Sequence, residues 1–212
     1  YLLSIGLGVG ALVGDLPGPG GEPIPYDQFV APGLLAAAAM NGAAFDTTFG
    51  FFIKLKHQHA YDALLATPLG PSDVVGGEVI WSLGRGGIYA GAFLAAMGVL
   101  GLVASPWAVF AIPVALLIGA AFAAAGLAAS SFMRSWVDFD YVNLVLVPLF
   151  LFSAVFFPID RYPGAVGVAI RLTPLYQGVA LERGLVFGEL SWTMLVNAAY
   201  LVVLGLVGLR VA

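Results

Sequence analysis

Both lysines and both histidines of the chain fall in one short stretch, Lys54-Leu55-Lys56-His57-Gln58-His59. Such a cluster could bind phosphate, hold a metal or present charge to a partner. Neither lysine follows a glycine and no G-x-x-x-x-G-K-[ST] occurs, so the sequence contains no phosphate loop. His57 and His59 lack the third and fourth ligands that zinc takes, there is no H-E-x-x-H, and the chain has no cysteine to supply a thiolate. No serine, histidine and acid fall at one membrane depth as a hydrolytic triad would need. An ionisable group inside a bilayer marks an ion or proton route by default, and only Asp46 qualifies. It lies about eight residues, roughly 12 Å of helix, before Lys54. Thr47, Thr48 and Asn41 could extend it into a polar strip; a carboxylate bonded to a neighbouring helix is the alternative. Asn143 sits in a later apolar run, where Phe152 and Phe156 are spaced i, i+4. On one helix these two rings share a face that could line a path for a lipid tail, although packing or lipid contact would explain them equally.

The elements that must position these residues are membrane helices. Of 212 residues 61% are apolar and 9% charged, with a mean hydropathy of +1.00; an ordinary soluble domain is about 25% charged. This excludes a soluble enzyme, and a net charge of -4 offers nothing to a nucleic acid. A crossing takes about 20 apolar residues. Between Arg85 and Arg134 lie 48 uncharged residues, enough for two crossings broken at Ser105-Pro106-Trp107. The runs 141–159 and 190–209 give one crossing each. Expected spans are therefore 29–53, 83–104, 107–132, 141–159 and 190–209, preceded by a partial one over 1–13. That first segment lacks both an initiator Met and the features of a signal peptide, which predicts a truncated span. Lysine and arginine concentrate on the inner side of membranes. Lys54, Lys56, Arg134 and Arg210 thus predict a cytoplasmic face and a cytoplasmic C-terminus. The loop 14–28, acidic and rich in Pro and Gly, falls outside. Arg161, Arg171 and Arg183 in the connection 158–189 run against this scheme, offset by Asp160, Glu182 and Glu189.

Two connections read as more than loops. Leu55 to Leu65 can form a short amphipathic helix, stopped at Thr67-Pro68, with a restart at Pro71-Ser72-Asp73. A lateral helix tied at both ends to membrane helices is a mechanical handle; a solvated interfacial helix is the plainer reading. Pro163–Leu172 and Leu175–Phe187, parted by Thr173-Pro174, are too short to cross and fit re-entrant or interfacial helices.

Four stretches carry a family resemblance: MNGAAFDTTFGFF (40–52), YDALLATPLGPSDVVGGEVIWSLGR (61–85), SFMRSWVDFDYVNLVLVPLFLFSAVFFPIDRYP (131–163) and RLTPLYQGVALERGLVFG (171–188). The ATPL-x-x-x-D followed by Glu78 and the FS-x-VFFP-x-D element are the specific parts. The chain resembles the membrane subunit of type-2 ABC exporters, above all the nodulation-factor (lipooligosaccharide) export permease branch, which is similar to the daunorubicin-resistance permeases. The resemblance implies an all-α, six-helix permease that pairs with a second copy, stands on two cytosolic ABC ATPase subunits carrying the ATP and Mg, and is not itself an enzyme. It implies that Lys54 to Thr67 is the coupling helix, that Glu78 is the acidic position following it, and that the segments after Pro158 are outer re-entrant helices. The amphipathic helix that precedes the first span in relatives is missing from this sequence. Candidate ATPase-coupling residues are accordingly Lys54, Lys56, His57, His59, Asp62 and Glu78; candidate path residues are Asn41, Asp46, Asn143, Phe152 and Phe156. The expected function is ATP-driven export of an amphiphile (a lipooligosaccharide, glycolipid or hydrophobic drug) across a bacterial inner membrane, among membrane lipids. A proton- or ion-coupled carrier using Asp46 is the alternative.

Overall fold

A computed structural model describes residues 2–18, 22–56 and 60–212. The candidates His57 and His59 lie outside the described residues. The chain is a helical bundle: α1 (Leu2–Val13), a ribbon of β1 (Leu16–Pro17) on β2 (Pro23–Ile24), α2 (Tyr26–Phe45), α3 (Phe51–Lys56), α4 (Ala60–Leu65), α5 (Pro71–Val99), α6 (Ala111–Phe132), α7 (Asp138–Phe152), α8 (Gly164–Arg171), α9 (Pro174–Phe187) and α10 (Thr193–Val211). Among the described residues four helices are long and apolar enough to cross a membrane: Tyr26–Lys56, Pro71–Val99, Pro106–Phe132 and Thr193–Val211. With α1 and α7 they give an all-α integral membrane protein.

α6 is the hub and packs against α2, α5, α9 and α10. Small residues permit this, as expected where helices gain little from burying apolar surface in lipid. A Cβ on Gly126 would overlap the Thr47 hydroxyl, and one on Gly208 would stand 2.7 Å from the Ala124 carbonyl carbon. Tyr26–Lys56 is not one regular helix. Asp46–Gly50 forms a π-helical turn in which the Thr47 and Thr48 hydroxyls donate back to the carbonyls of Ala43 (2.8 Å) and Ala44 (2.6 Å). Side-chain bonding to the i-4 carbonyl competes with the regular ladder, and wide turns of this kind recur at functional positions.

Helix ends correct several expected spans. α5 starts at Pro71, about three turns before the expected 83, because the Asp73 carboxylate accepts from the Gly70 N–H (2.8 Å) and caps the helix there. The hydrophobic stretch was bounded by charge, whereas the helix is bounded by its cap. α5 also ends before 104, where Gly101 takes φ +71°. Of the expected helix over 55–65, the described residues 55–56 end α3 and 60–65 form α4, both helical, and 57–59 lie outside the described residues. The fifth span is shorter than 141–159: α7 stops at Phe152, and the backbone turns through the buried Ser153, Ala154 and Val155. Ala154 sits at φ +55°, a conformation costing a non-glycine residue about 1–2 kcal/mol. Arg183 of α9 holds this turn, its Nη2 donating to the carbonyls of Ala154 (2.8 Å) and Val155 (3.1 Å). Gly33 of α2 lets the turn approach, since a Cβ there would come within 3.2 Å of the Val155 Cα. Irregular backbone at membrane depth survives only when protein satisfies it in this way. The two short apolar pieces of the connection are helical as expected, as α8 and α9. Thr173 caps α9, accepting from the Tyr176 N–H, and Gly188 ends it at φ +80°.

Candidate functional site

At the end of the bundle that carries the lysines, Lys54 and Glu78 meet. Lys54 Nζ donates to both Glu78 carboxylate oxygens at 2.8 Å, and the Tyr61 hydroxyl donates to Oε1 at 2.7 Å. Three elements, α3, α4 and α5, are thereby stapled through one carboxylate. The lysine is partly solvated and the glutamate nearly buried, at 37% and 14% side-chain exposure, so the pair belongs to the structure more than to the surface. Beneath it Phe51 packs on Tyr61, ring centroids 5.2 Å apart, in a cluster with Leu127 of α6. Burial, and then the Glu78 carboxylate, push the Tyr61 hydroxyl above the usual tyrosine range, which keeps it a donor at any physiological pH. Of the coupling candidates, Lys54 and Glu78 are brought together, while Lys56 and Asp62 are exposed on the same end. Tyr61 was not among the candidates. Nothing in its spacing distinguishes it, since its partner lies 17 residues on.

Asp46 is placed toward α5. Its carboxylate forms an ion pair with Arg85 of α5, so it joins no strip with Asn41. The two sit in a small cleft of about 190 Å³ between α2, α5 and α6. Asn41 instead lines a groove of about 440 Å³ with Asn143 of α7, beside Phe49, Trp136 and Phe139. These aromatics form a tight box: Phe49 lies 5.7 Å from Trp136 and 5.5 Å from Phe139, and Phe52 lies 5.2 Å from Phe139, centroid to centroid. The wide turn at Asp46–Gly50 lets one strip of sequence put Asp46 toward α5 and Phe49 toward α7. The box was missed in the sequence; its signal is a tryptophan two residues after Arg134, where the charge pattern puts the interface.

Phe152 and Phe156 do not share a helix face, because the helix ends between them. Phe152 is exposed, whereas Phe156 packs edge-on against Phe150 at 5.1 Å. The greasy wall lies elsewhere, in a crevice of about 660 Å³ between α2, α6, α7 and α10. It runs from Arg134, Ser135 and Asp138 at one end to Pro174 at the other, with Phe122, Leu146 and Leu149 between. Asp138 holds the charged mouth in shape, its Oδ2 accepting from the N–H groups of Arg134 (2.7 Å) and Ser135 (2.9 Å). Crevice and aromatic groove adjoin, with Thr48, Val142 and Leu146 lining both. A polar, ring-lined groove beside a long apolar slot is suited to a molecule with a polar head and a hydrocarbon tail.

Comparison with known proteins agrees with this architecture. The sequence model of the family described as ABC-2 type transporter matches residues 2–187. Nodulation protein J of Rhizobium leguminosarum bv. trifolii is 31% identical over 190 residues, covering 89% of this chain and 71% of that protein. Nodulation protein J of Rhizobium meliloti (strain 1021) is 28% identical over 190 residues, with the same coverage of 89% and 71%. The inner membrane transport permease YadH of Escherichia coli (strain K12) is 25% identical over 190 residues, covering 88% of this chain and 67% of that protein. A match that spans the whole bundle through α9, with relatives aligned over most of their own length, means that the chain belongs to the ABC-2 type transporter family and is a multi-pass membrane transport subunit.

Proposed function

We propose that this chain is the membrane half of an ATP-driven exporter whose cargo is an amphiphile with a polar, sugar-like head and an apolar tail. The observation that carries this is the contiguity of the two cavities: amides and aromatic rings on one side of α7, an apolar slot running the height of the bundle on the other. Among amphiphiles, the resemblance favours a lipooligosaccharide. Family membership supports a separate ABC ATPase partner that holds the ATP and Mg, and a second permease copy opposite the first. In this reading the Lys54 end faces the cytoplasm of a bacterial inner membrane, and the ATPase pushes on α4. The staple of Lys54, Tyr61 and Glu78 passes that push to α3 and α5. Because an ATPase can shift the permease only by binding its two states unequally, the exposed Lys56 and Asp62 are the residues that would sense it.

The test is reconstitution of chain and ATPase in vesicles with a fluorescent glycolipid. Export should need ATP, should be unaffected by collapsing the proton gradient, and should survive Asp46→Asn. Transport driven by the gradient alone, and abolished in that variant, would replace this reading with a carrier. The Arg85 pairing gives Asp46 a structural role, joining α5 to the helix that ends in Lys56, that needs no proton exchange.

A further inference from the structure

At the end of the bundle away from the lysines lies a third cavity, about 310 Å³, enclosed by the segment 154–160, α2, α9, the link 189–191 and the start of α10. That volume is at the small end for a small-molecule site. Its lining differs in kind from the other cavities, with the carboxylates of Asp160 and Glu189, the Tyr176 and Thr193 hydroxyls, the Asn197 amide and the Arg183 guanidinium all contributing. Arg183 is fixed before any ligand arrives. Its guanidinium lies 3.9 Å over the Phe29 ring, Nε donates to the Phe29 carbonyl (3.4 Å) and Nη2 to those of Ala154 and Val155. Among the described residues Nη1 has no protein acceptor and neither Asp160 nor Glu189 forms an ion pair.

The charges decide what fits. A phosphate or sulfate would gain one guanidinium already committed to three carbonyls and would face two carboxylates. A cation would gain the carboxylates and face the guanidinium. A neutral group carrying many hydroxyls meets no such conflict, because each hydroxyl can donate to a carboxylate or accept from Arg183 or Asn197, and bonds to charged partners are the stronger ones. We propose that this cavity is a binding site for a neutral polyhydroxylated group, one or two sugar rings in size. It rests on the export reading only for its place on the exit side, where it would receive the head of the cargo while the tail is still in the bundle.

The test is binding without ATP or ATPase. The full chain in phosphatidylcholine nanodiscs is titrated, by saturation-transfer NMR, with neutral mono- and disaccharides of glucose and of N-acetylglucosamine, and separately with discs containing a neutral glycolipid. Inorganic phosphate, sulfate and calcium form the control arms. Saccharide should bind, and Asn197→Leu and Asp160→Asn should each weaken it tenfold or more without changing the melting temperature. Asp160 is exposed, so its variant tests the site without threatening the fold. Binding of free saccharide identifies a soluble sugar as a sufficient ligand, and binding of glycolipid alone identifies a membrane-anchored head; both support the proposal. Preferential binding of phosphate, sulfate or calcium, no binding in either sugar arm, or binding unchanged in both variants overturns it. Loss of ATP-driven export with sugar binding intact would sink the export reading and leave this site standing.

Discussion

Glu78 accepts from both Lys54 and Tyr61, so a single carboxylate holds the handle to the bundle. With Lys54 more than a third exposed, the ion pair itself is worth only about 1 kcal/mol, and its reversal should not unfold the protein. The expected effect is on coupling. Lys54→Glu and Glu78→Lys should each cut permease-stimulated ATP turnover several-fold, and the double swap should recover most of it, measured on the reconstituted complex. Single reversals that leave turnover intact would mean the staple transmits nothing. A different carboxylate, Glu182 in α9, is fully buried with neither oxygen hydrogen-bonded among the described residues. An unpaired buried polar group of this kind costs about 1–3 kcal/mol. Glu182→Leu should therefore raise the melting temperature in nanodiscs, and a fall would show that a partner satisfies it. Lys54 and Asp46 could be singled out from type and spacing, because charge in an apolar chain is conspicuous, and Glu78 only from the family resemblance. Their partners could not, since Tyr61 lies 17 residues from Glu78 and the carbonyls that Arg183 binds lie 28 and 29 residues from it. In the sequence Arg183 reads only as a charge in the wrong loop.

Helix boundaries were legible where a proline marks them, as at Pro106 and at the breaks flanking α8 and α9, and less so where only a charge did, as at the start of α5. They were illegible where geometry came from a distant contact. The run Leu149 to Phe157 is uncharged, with Ser153 its one polar residue, and gives little hint that the helix stops at Phe152; the stop is imposed by Arg183 and Gly33 from other helices. The same dependence makes Arg183→Lys informative. A lysine keeps the charge but loses the fork that binds two carbonyls, so the turn at Ser153–Val155 should loosen and its amides should exchange faster with solvent, read by hydrogen-exchange mass spectrometry. Unchanged protection there would assign the turn to packing alone. Small residues set the other limit. Gly208 lets α10 approach the α6 backbone at Ala124, and a leucine there has nowhere to go. Gly208→Leu should lower the melting temperature by several degrees, whereas Leu206→Ala, on an exposed position of α10, should be close to neutral.

Across the whole molecule the lysines and arginines favour one end. The basic residues divide unevenly, Lys54, Lys56, Arg85, Arg134 and Arg210 toward one end and Arg161, Arg171 and Arg183 toward the other, while the acids divide evenly, Asp46, Asp62, Asp73, Glu78, Asp138 and Asp140 against Asp15, Glu22, Asp27, Asp160, Glu182 and Glu189. The orientation rule counts lysine and arginine near the spans and gives little weight to acids, so the expectation it yields is a lysine end that faces inward. One objection to that expectation falls away. Arg183 is spent on the Phe29, Ala154 and Val155 carbonyls, inside protein rather than in a loop awaiting translocation, and does not compete as a topology signal. The chain has no cysteine, so one introduced thiol reports its own side without background. Asp62→Cys, on the exposed face of α4, should be shielded from a membrane-impermeant maleimide in intact cells and labelled once the cells are opened. Glu189→Cys, exposed at the opposite end, should label in both. The reverse pattern would put the handle outside, where no cytosolic ATPase could push it. The ATP-driven reading would then fail while the bundle, its staple and its cavities stayed as described.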